Sequence, residues 1–467
     1  MTGYAEVLAR ALALERAHAV AVREHCTISA DPHAVFGIAP VKLVSEEAVQ
    51  AIAFGTLGTE PQYVVRWNPL SRESGELEPF AAALDRYLTQ AVQDDGLPRV
   101  WVPHRAALTM VDLLGFRYRT NREANEALRR MGWQCRALAE EAAYAGQQVV
   151  AIGGDLLRDH VVTGQLPIKD HHLDALLAWL EDVGGVDPGV EADRRALVPA
   201  AAMLERAADD RVEHLRKIAK AGGRPGHIAR REIERLLREG ALHEWDLLVR
   251  ARAAFWSLGL PVMSGIQALV KPSRDRISFS LASDLSPAST PHGLSRLLDR
   301  HEAAAELAEA SIVLGDRSVR ELARQRGRAL NAHVTWIDQP TPNRHPCTIH
   351  TRTDQPVLRV RQGTTLQTIG GTLVARVAMI GEDPAGGRVL ELIVEKGVRA
   401  SVLPAVGSLI ELVDSVPFDS SWLRNRAYRA MQAAAHPLVY QDDLPAASPR
   451  HALPADLVAA AQGLRRP

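Results

Sequence analysis

Cysteine is nearly missing: three residues in 467, Cys26, Cys135 and Cys347, stand far apart and outside any CxxC or Cys/His cluster. So few thiols supply neither a disulfide framework nor a structural zinc site, and they suit a reducing compartment. Lysine is scarce too. Six lysines leave 49 of the 55 basic residues as arginine, which with the abundant alanine reads as translation of a GC-rich genome. No apolar run approaches 18 residues, which excludes a membrane-spanning helix. Met1-Thr2-Gly3-Tyr4-Ala5-Glu6 lacks the basic start of a signal peptide, so the expectation is a cytoplasmic protein with no membrane partner. Charge of one sign is also absent: 55 basic against 56 acidic residues give a net −1, and no whole-chain field draws the molecule to nucleic acid.

What is there is an ordinary globular composition, 46% hydrophobic and 24% charged. At about 150 residues per domain the length predicts roughly three domains. Apolar spacing predicts an amphipathic helix over 4–24, and a short helix after Asp31-Pro32 with Ser45 as cap and Glu46 and Glu47 in its first turn. Tyr63–Trp67 is the one strand expected early. A helix with Pro79 at its start should bury Phe80, Leu84, Tyr87 and Leu88. Another, begun by the capping box Thr120–Glu123 and running to about Ala145, should bury Leu128, Met131, Cys135 and Leu138. Val186-Asp187-Pro188-Gly189 marks a boundary, after which the chain is charged and helical to about Leu258, broken at Gly222–Gly226. Helices are also expected over 292–310 and 318–328.

Near Leu330 the hydrophobic period drops from about 3.6 to 2. Strands are expected at 332–337, 357–361, 364–369, 372–380, 388–395 and 408–413, with Gly370-Gly371 as a hairpin turn. The fold class is therefore α+β: mainly helical N-terminal and middle regions, then a small antiparallel β-barrel, OB-like by size. The expected domains are a mainly helical α/β unit over 1–187, a charged helical unit over 188–330, the barrel over 331–418, and a short helix with a mobile tail over 419–467.

Catalytic motifs are scarce. Asp170-His171-His172 spells the triplet of the DHH phosphoesterases, whose acids and histidines hold two divalent metals. No upstream Asp-x-Asp accompanies it, and Asp170 reads more simply as the N-cap of a helix that buries Leu173, Leu176, Leu177 and Leu180. Val149–Asp155 has the form of a strand running through Gly153-Gly154 to a helix start, a phosphate-cradling geometry without GxGxxG or GxxxxGK[ST]. Glu391–Lys396 lacks true ExK spacing, and no GxSxG or HExxH is present. No cofactor or metal is implied.

Local charge carries more. Residues 1–100 hold eight basic and 13 acidic side chains. Between Arg211 and Arg238 nine basic residues face three acids, and between Arg344 and Arg376 five arginines face one. The candidate nucleic-acid contacts are Arg211, Lys217, Lys220, Arg224, Arg230, Arg231 and Arg235 in the helical middle, and Trp336, Arg359 and Arg361 in the barrel. Basic grooves with an exposed aromatic track single strands. The competing expectation is a solvated helix face paired with Glu213, Glu232 and Glu234, with Trp336 in the core beside Val334.

Three stretches, Val65-Arg66-Trp67-Asn68-Pro69-Leu70-Ser71-Arg72, the run Asp170–Leu180, and Glu411-Leu412-Val413-Asp414, resemble stretches of uncharacterised actinobacterial proteins that accompany superfamily-one ATP-dependent helicases. The resemblance covers much of the chain and includes no motif of known chemistry. It implies a nucleic-acid transaction in phage defence or DNA processing. Without a Walker A lysine here, the ATPase would be a helicase or translocase partner. The expectation is a non-catalytic accessory protein that engages nucleic acid, single-stranded by preference, or that partner, or both. The alternatives are a metal-dependent phosphoesterase using Asp170, His171 and His172, and a purely structural scaffold.

Overall fold

In Phe-Gly-Ile-Ala at 36–39 and Ala-Ile-Ala-Phe-Gly at 51–55 large and small apolar residues alternate with period 2, which gives the first sheet one bulky and one shallow face. The computed structural model describes residues 3–414 apart from 45–47, 70–74, 95, 120–124, 145, 199–205, 264–265, 284–316, 370–371 and 385. Strands β2 (Phe36–Lys42), β3 (Val49–Thr56), β4 (Gln62–Val65), β5 (Val100–Val102) and β6 (Val150–Ile152) form one sheet in the order β4-β3-β2-β5-β6. The first three form an antiparallel meander, while β5 and β6 run parallel to β2 and β5, and a separate antiparallel pair is made by β1 (Val20–Ala21) and β7 (Val161–Val162).

One face of this sheet carries Phe36, Ile38, Ile52, Phe54, Val100, Val102, Val150 and Ile152. Helices α2 (Glu78–Gln93), α3 (Arg105–Tyr118) and α4 (Glu126–Ala142) close over it. The other face carries Gly37, Ala39, Ala51, Ala53 and Ala151, with Trp101 the bulky exception. Such a shallow surface lets a helix approach closely, and α9 (Gly223–Ser257) lies on it through Trp245, Leu248, Ala251 and Phe255. Gly37 makes room for this: a Cβ there would stand 2.7 Å from the Trp245 ring.

The mainly helical N-terminal region therefore contains a five-stranded sheet, of which only β4 and β6 were legible as strands. Pro40 hid β2, since proline in a central strand forfeits a ladder donor. Here β5 reaches only the Phe36 and Gly37 end of β2, so Pro40 meets no strand on that side. The predicted helix after Pro32 is replaced by β2 and β3, whose alanines are set by what packs on them rather than by helix propensity. Helix α1 (Gly3–Arg16) ends eight residues before its expected limit. A boundary at residue 187 does not separate two cores, because residues from Cys26 to Phe255 share one apolar cluster.

Several local expectations hold. Pro79 begins α2 with Phe80, Leu84 and Leu88 buried, and α4 buries Leu128, Met131, Cys135 and Leu138. The cap of α4 is Asn125, whose side chain accepts from the Leu128 amide. Asp187 caps α7 (Pro188–Arg195). The Ser45–Glu47 helix start, the Thr120–Glu123 capping box, the Gly370-Gly371 turn, the helix at 292–310 and the segment 419–467 lie outside the described residues.

Beyond α10 (Gln267–Ser283) and α11 (Arg317–Gln325), strands β8 (Ala329–Asp338), β9 (Thr348–Thr353), β10 (Thr365–Thr368), β11 (Val374–Glu382), β12 (Arg388–Lys396) and β13 (Leu409–Asp414) form a ring of six antiparallel strands, closed by the β10–β13 pair. Its interior is filled by Leu330, Val334, Ile349, Leu366, Val377, Leu392 and Leu412, among others. The expected strand at 357–361 is irregular chain, although Val360 is buried in the ring. Strand β9 went unseen because threonine takes two of its three inward positions. Thr353 donates to the Asn331 carbonyl at 2.6 Å and Thr351 to that of Leu390 at 3.4 Å, so their hydroxyls are satisfied inside.

Candidate nucleic-acid interface

The basic middle segment folds into a helical hairpin, α8 (Arg206–Ala221) followed by α9, turned by Gly222 and Gly223 at positive φ (76° and 66°). Val212 and Ala219 on α8, with Ala229, Ile233, Leu237 and Ala241 on α9, face the core at helical spacing. The basic residues fall around this stripe and meet different fates.

Arg216 is buried. Its guanidinium donates to the Trp67 carbonyl at 2.8 Å and to the Gln50 side-chain oxygen. Arg230 lies over the Trp67 ring at 4.4 Å and Arg238 over the Tyr63 ring at 4.6 Å, clamping the hairpin to the end of β4. Arg211 and Arg235 both pair with Glu232, and Arg235 also pairs with Glu239 at 2.7 Å. The hydrogen bond from Arg235 holds the Glu232 carboxyl below its ordinary pKa. These arginines behave as the solvated-face expectation requires.

Lys217, Lys220, Arg224 and Arg231 do not. All four are exposed, and among the described residues none has an ion-pair or hydrogen-bond partner. Lys217, Lys220 and Arg224 crowd around the hairpin turn, with the exposed His214 and His227 beside them. Helix stability does not account for Arg224. It sits in the first turn of α9, which contains no acid, where the macrodipole disfavours a cation.

On the ring, Trp336 is 61% exposed. Alternation with Val334 placed it in the core; a β-bulge overturns this. Val334 pairs with Thr351 and Trp336 with His350, so Thr335 is an extra residue that turns Trp336 outward. The outer row across the strands is Trp336, His350, Glu391 and Met379. Arg359 and Arg361 are both exposed, and Arg359 stands away from this row. The Arg359 amide donates to the Gly327 carbonyl, at the opposite end of β8 from Trp336. At about 3.3 Å per residue the separation along that strand exceeds about 20 Å. Trp336 and Arg359 therefore do not share one groove.

The enzyme-like features resolve into structural roles. Asp170 is not an N-cap: it is buried beside a short 3-10 turn and accepts from Thr163 at 2.5 Å, Gln165 at 2.8 Å and Arg10 at 3.0 Å. It thereby ties the chain before α6 (Leu173–Leu177) to α1. His172 is the cap, accepting from the Ala175 amide, while His171 contacts Arg158. Among the described residues no three His, Cys, Asp or Glu side chains converge as a metal site.

Gly153 and Gly154 open α5 (Gly153–His160) directly from β6. The Gly154 amide is taken by the Pro103 carbonyl at 2.9 Å, and a Cβ on Gly153 would stand 2.9 Å from Ala251. Gly153 thus makes room for α9, and the Gly154 amide is already bonded within the fold. Helix α9 also reaches the carboxyl end of β5, the edge at which open sheets of this kind bind ligands. There His104 ends β5, caps α3 through Nδ1, and bonds Glu244 of α9 through Nε2 at 2.8 Å.

Two further side chains gave no motif-level signal. Asp31 is a buried hub: one oxygen accepts from Arg99 and Trp101, the other from Arg252 and Trp256, at 2.8–3.2 Å. Arg66, just after β4, is buried with Nε and Nη2 unbonded. No family model, curated protein or solved structure matches the chain.

Proposed function

We propose that this chain is a non-catalytic accessory protein that binds nucleic acid, with single strands preferred, and works beside an ATP-driven helicase or translocase. The observation that carries the reading is the cationic tip of the α8–α9 hairpin: Lys217, Lys220, Arg224 and Arg231 stand exposed while their basic neighbours are clamped or ion-paired. Four unneutralised cations on a rigid helix pair suit a phosphate backbone. Trp336 adds an outward ring on which a base can stack, which favours single strands. We read the ring as serving in the manner of an OB-like barrel, with six strands where that fold has five. The structural partners of Asp170 and His172, and the lack of a metal-ligand cluster among the described residues, are what favour the non-catalytic part.

The test is fluorescence anisotropy with single- and double-stranded oligonucleotides at low and near-physiological salt. Binding that weakens steeply with salt and disappears when Lys217, Lys220, Arg224 and Arg231 become glutamate is the expected result. Absent or salt-insensitive binding rejects the nucleic-acid reading, and the tip then faces an acidic protein partner.

A further inference from the structure

The most costly unpaid polar group among the described residues is Arg66, and its setting has the chemistry of an anion site. Its amide continues the sheet by donating to the Gln50 carbonyl, and its side chain runs into the layer under α2 and α3 with 1% exposure. Nε and Nη2 have no hydrogen-bond partner. These two nitrogens form one edge of the guanidinium, the edge whose parallel N–H bonds grip two oxygens of a carboxylate or phosphate. The nearest acid, Glu76, holds Oε2 3.8 Å from Nε, an ion-pair distance beyond hydrogen-bond reach, and has another interaction of its own. A buried charge left this way is strongly destabilising, and its usual remedy is a bound ion or water. Burial lowers the guanidinium pKa, Arg117 pushes the same way, and Tyr118 and Glu76 oppose it. An arginine stays charged regardless, so the positive charge persists and calls for a counter-ion.

We propose that the Nε–Nη2 edge of Arg66 is a binding site for a small oxyanion of the phosphate or sulfate class, entering past Glu76. Glu76, one-third exposed, is the acid that stands at the Nε side of this edge. The anion takes the two empty N–H bonds, and the Glu76 carboxylate, repelled, swings further toward water. Glu76 is therefore a competitor for the site and not a ligand of it.

The test uses the full chain without oligonucleotide, in wild type and in a variant with Lys217, Lys220, Arg224 and Arg231 changed to glutamine, so that an anion held at the hairpin tip is told apart from one held at Arg66. Thermal unfolding and titration calorimetry are followed with sodium phosphate and sodium sulfate, against sodium chloride at equal ionic strength. The wild type is expected to gain several degrees in phosphate or sulfate but not in chloride. Arg66→Lys, which keeps the charge and loses the two-pronged edge, should bind at least tenfold more weakly. Glu76→Gln should bind as tightly or more tightly. A wild type that responds equally to all three salts overturns the proposal, as does an Arg66→Lys variant with unchanged affinity. If Arg66→Lys does not fold, Glu76→Gln decides: retained or tighter phosphate binding supports the site, and lost binding makes Glu76 the partner and removes it.

Discussion

Replacing Lys217, Lys220, Arg224 and Arg231 together by glutamine tests the hairpin tip without touching the core, since all four are exposed. The magnitude follows from counterion release. Each phosphate contact on a single strand contributes about −0.7 to the slope of log affinity against log salt, so four contacts predict about −2.8. Raising salt from about 50 to about 200 mM should then weaken wild-type binding roughly fifty-fold. In the fourfold variant that slope should flatten to near zero, and each single substitution should flatten it by about 0.7. Arg235→Gln is the control: its guanidinium is held by Glu232 and Glu239, and it should leave the slope unchanged. Anisotropy titrations at four salt concentrations measure all of this. A fourfold variant with the wild-type slope, or an Arg235→Gln slope flattened as much as that of Arg224→Gln, refutes the assignment.

Asp31→Ala strips one acceptor from four donors, including the fully buried Arg99, and should cost about 3–5 kcal/mol in urea unfolding; a loss below about 1 kcal/mol would mean the hub is not formed. Gly37→Ala places a methyl group against the Trp245 ring and should destabilise by about 1–3 kcal/mol, whereas a neutral effect would place α9 further from the sheet. On the ring, Trp336→Ala should stay within about 0.5 kcal/mol of wild type while Leu392→Ala costs about 2–5 kcal/mol; the reverse order would put Trp336 back in the core. For Glu181, burial raises the pKa but the hydrogen bonds from Arg250 and Arg195 outweigh it, leaving the carboxyl below its ordinary 4.5. Its stabilising contribution is complete above that value and is lost as pH falls through the lower folded pKa. Melting temperature followed down from about pH 5 should thus fall less steeply in Glu181→Gln than in wild type.

Much of the helical pattern was legible because it is local. Pro79 at a helix start, the stripe of Leu128, Met131, Cys135 and Leu138, and the Gly222-Gly223 break are each set within a turn or two of chain. The ring strands from 372 onward were legible for the same reason, since alternation shows wherever aliphatics fill the inward positions. The N-terminal sheet was not. Alanine and glycine mark its second face, and they read as sheet only once α9, nearly two hundred residues later, is known to lie against them. Of the candidate contacts, the basic cluster was visible as a count, but nothing in the count sorted Arg216, Arg230 and Arg238 from Lys217 and Arg224. That sorting depends on Trp67, Tyr63 and Gln50, far away in sequence.

The sequence alone determined the class of this protein: an α+β chain with no membrane-crossing helix among its described residues, a charged helical middle and an antiparallel end, because periodicity and charge are properties of neighbouring residues. Only the tertiary structure decided which side chains are free to act. It turned Trp336 outward by one extra residue in a bulge, joined Asp170 to Arg10, bonded His104 to Glu244 of a distant helix, and left Nε and Nη2 of Arg66 buried without a hydrogen bond. Each of these is a contact between segments far apart in the chain, and such contacts are fixed by packing, which no local pattern encodes.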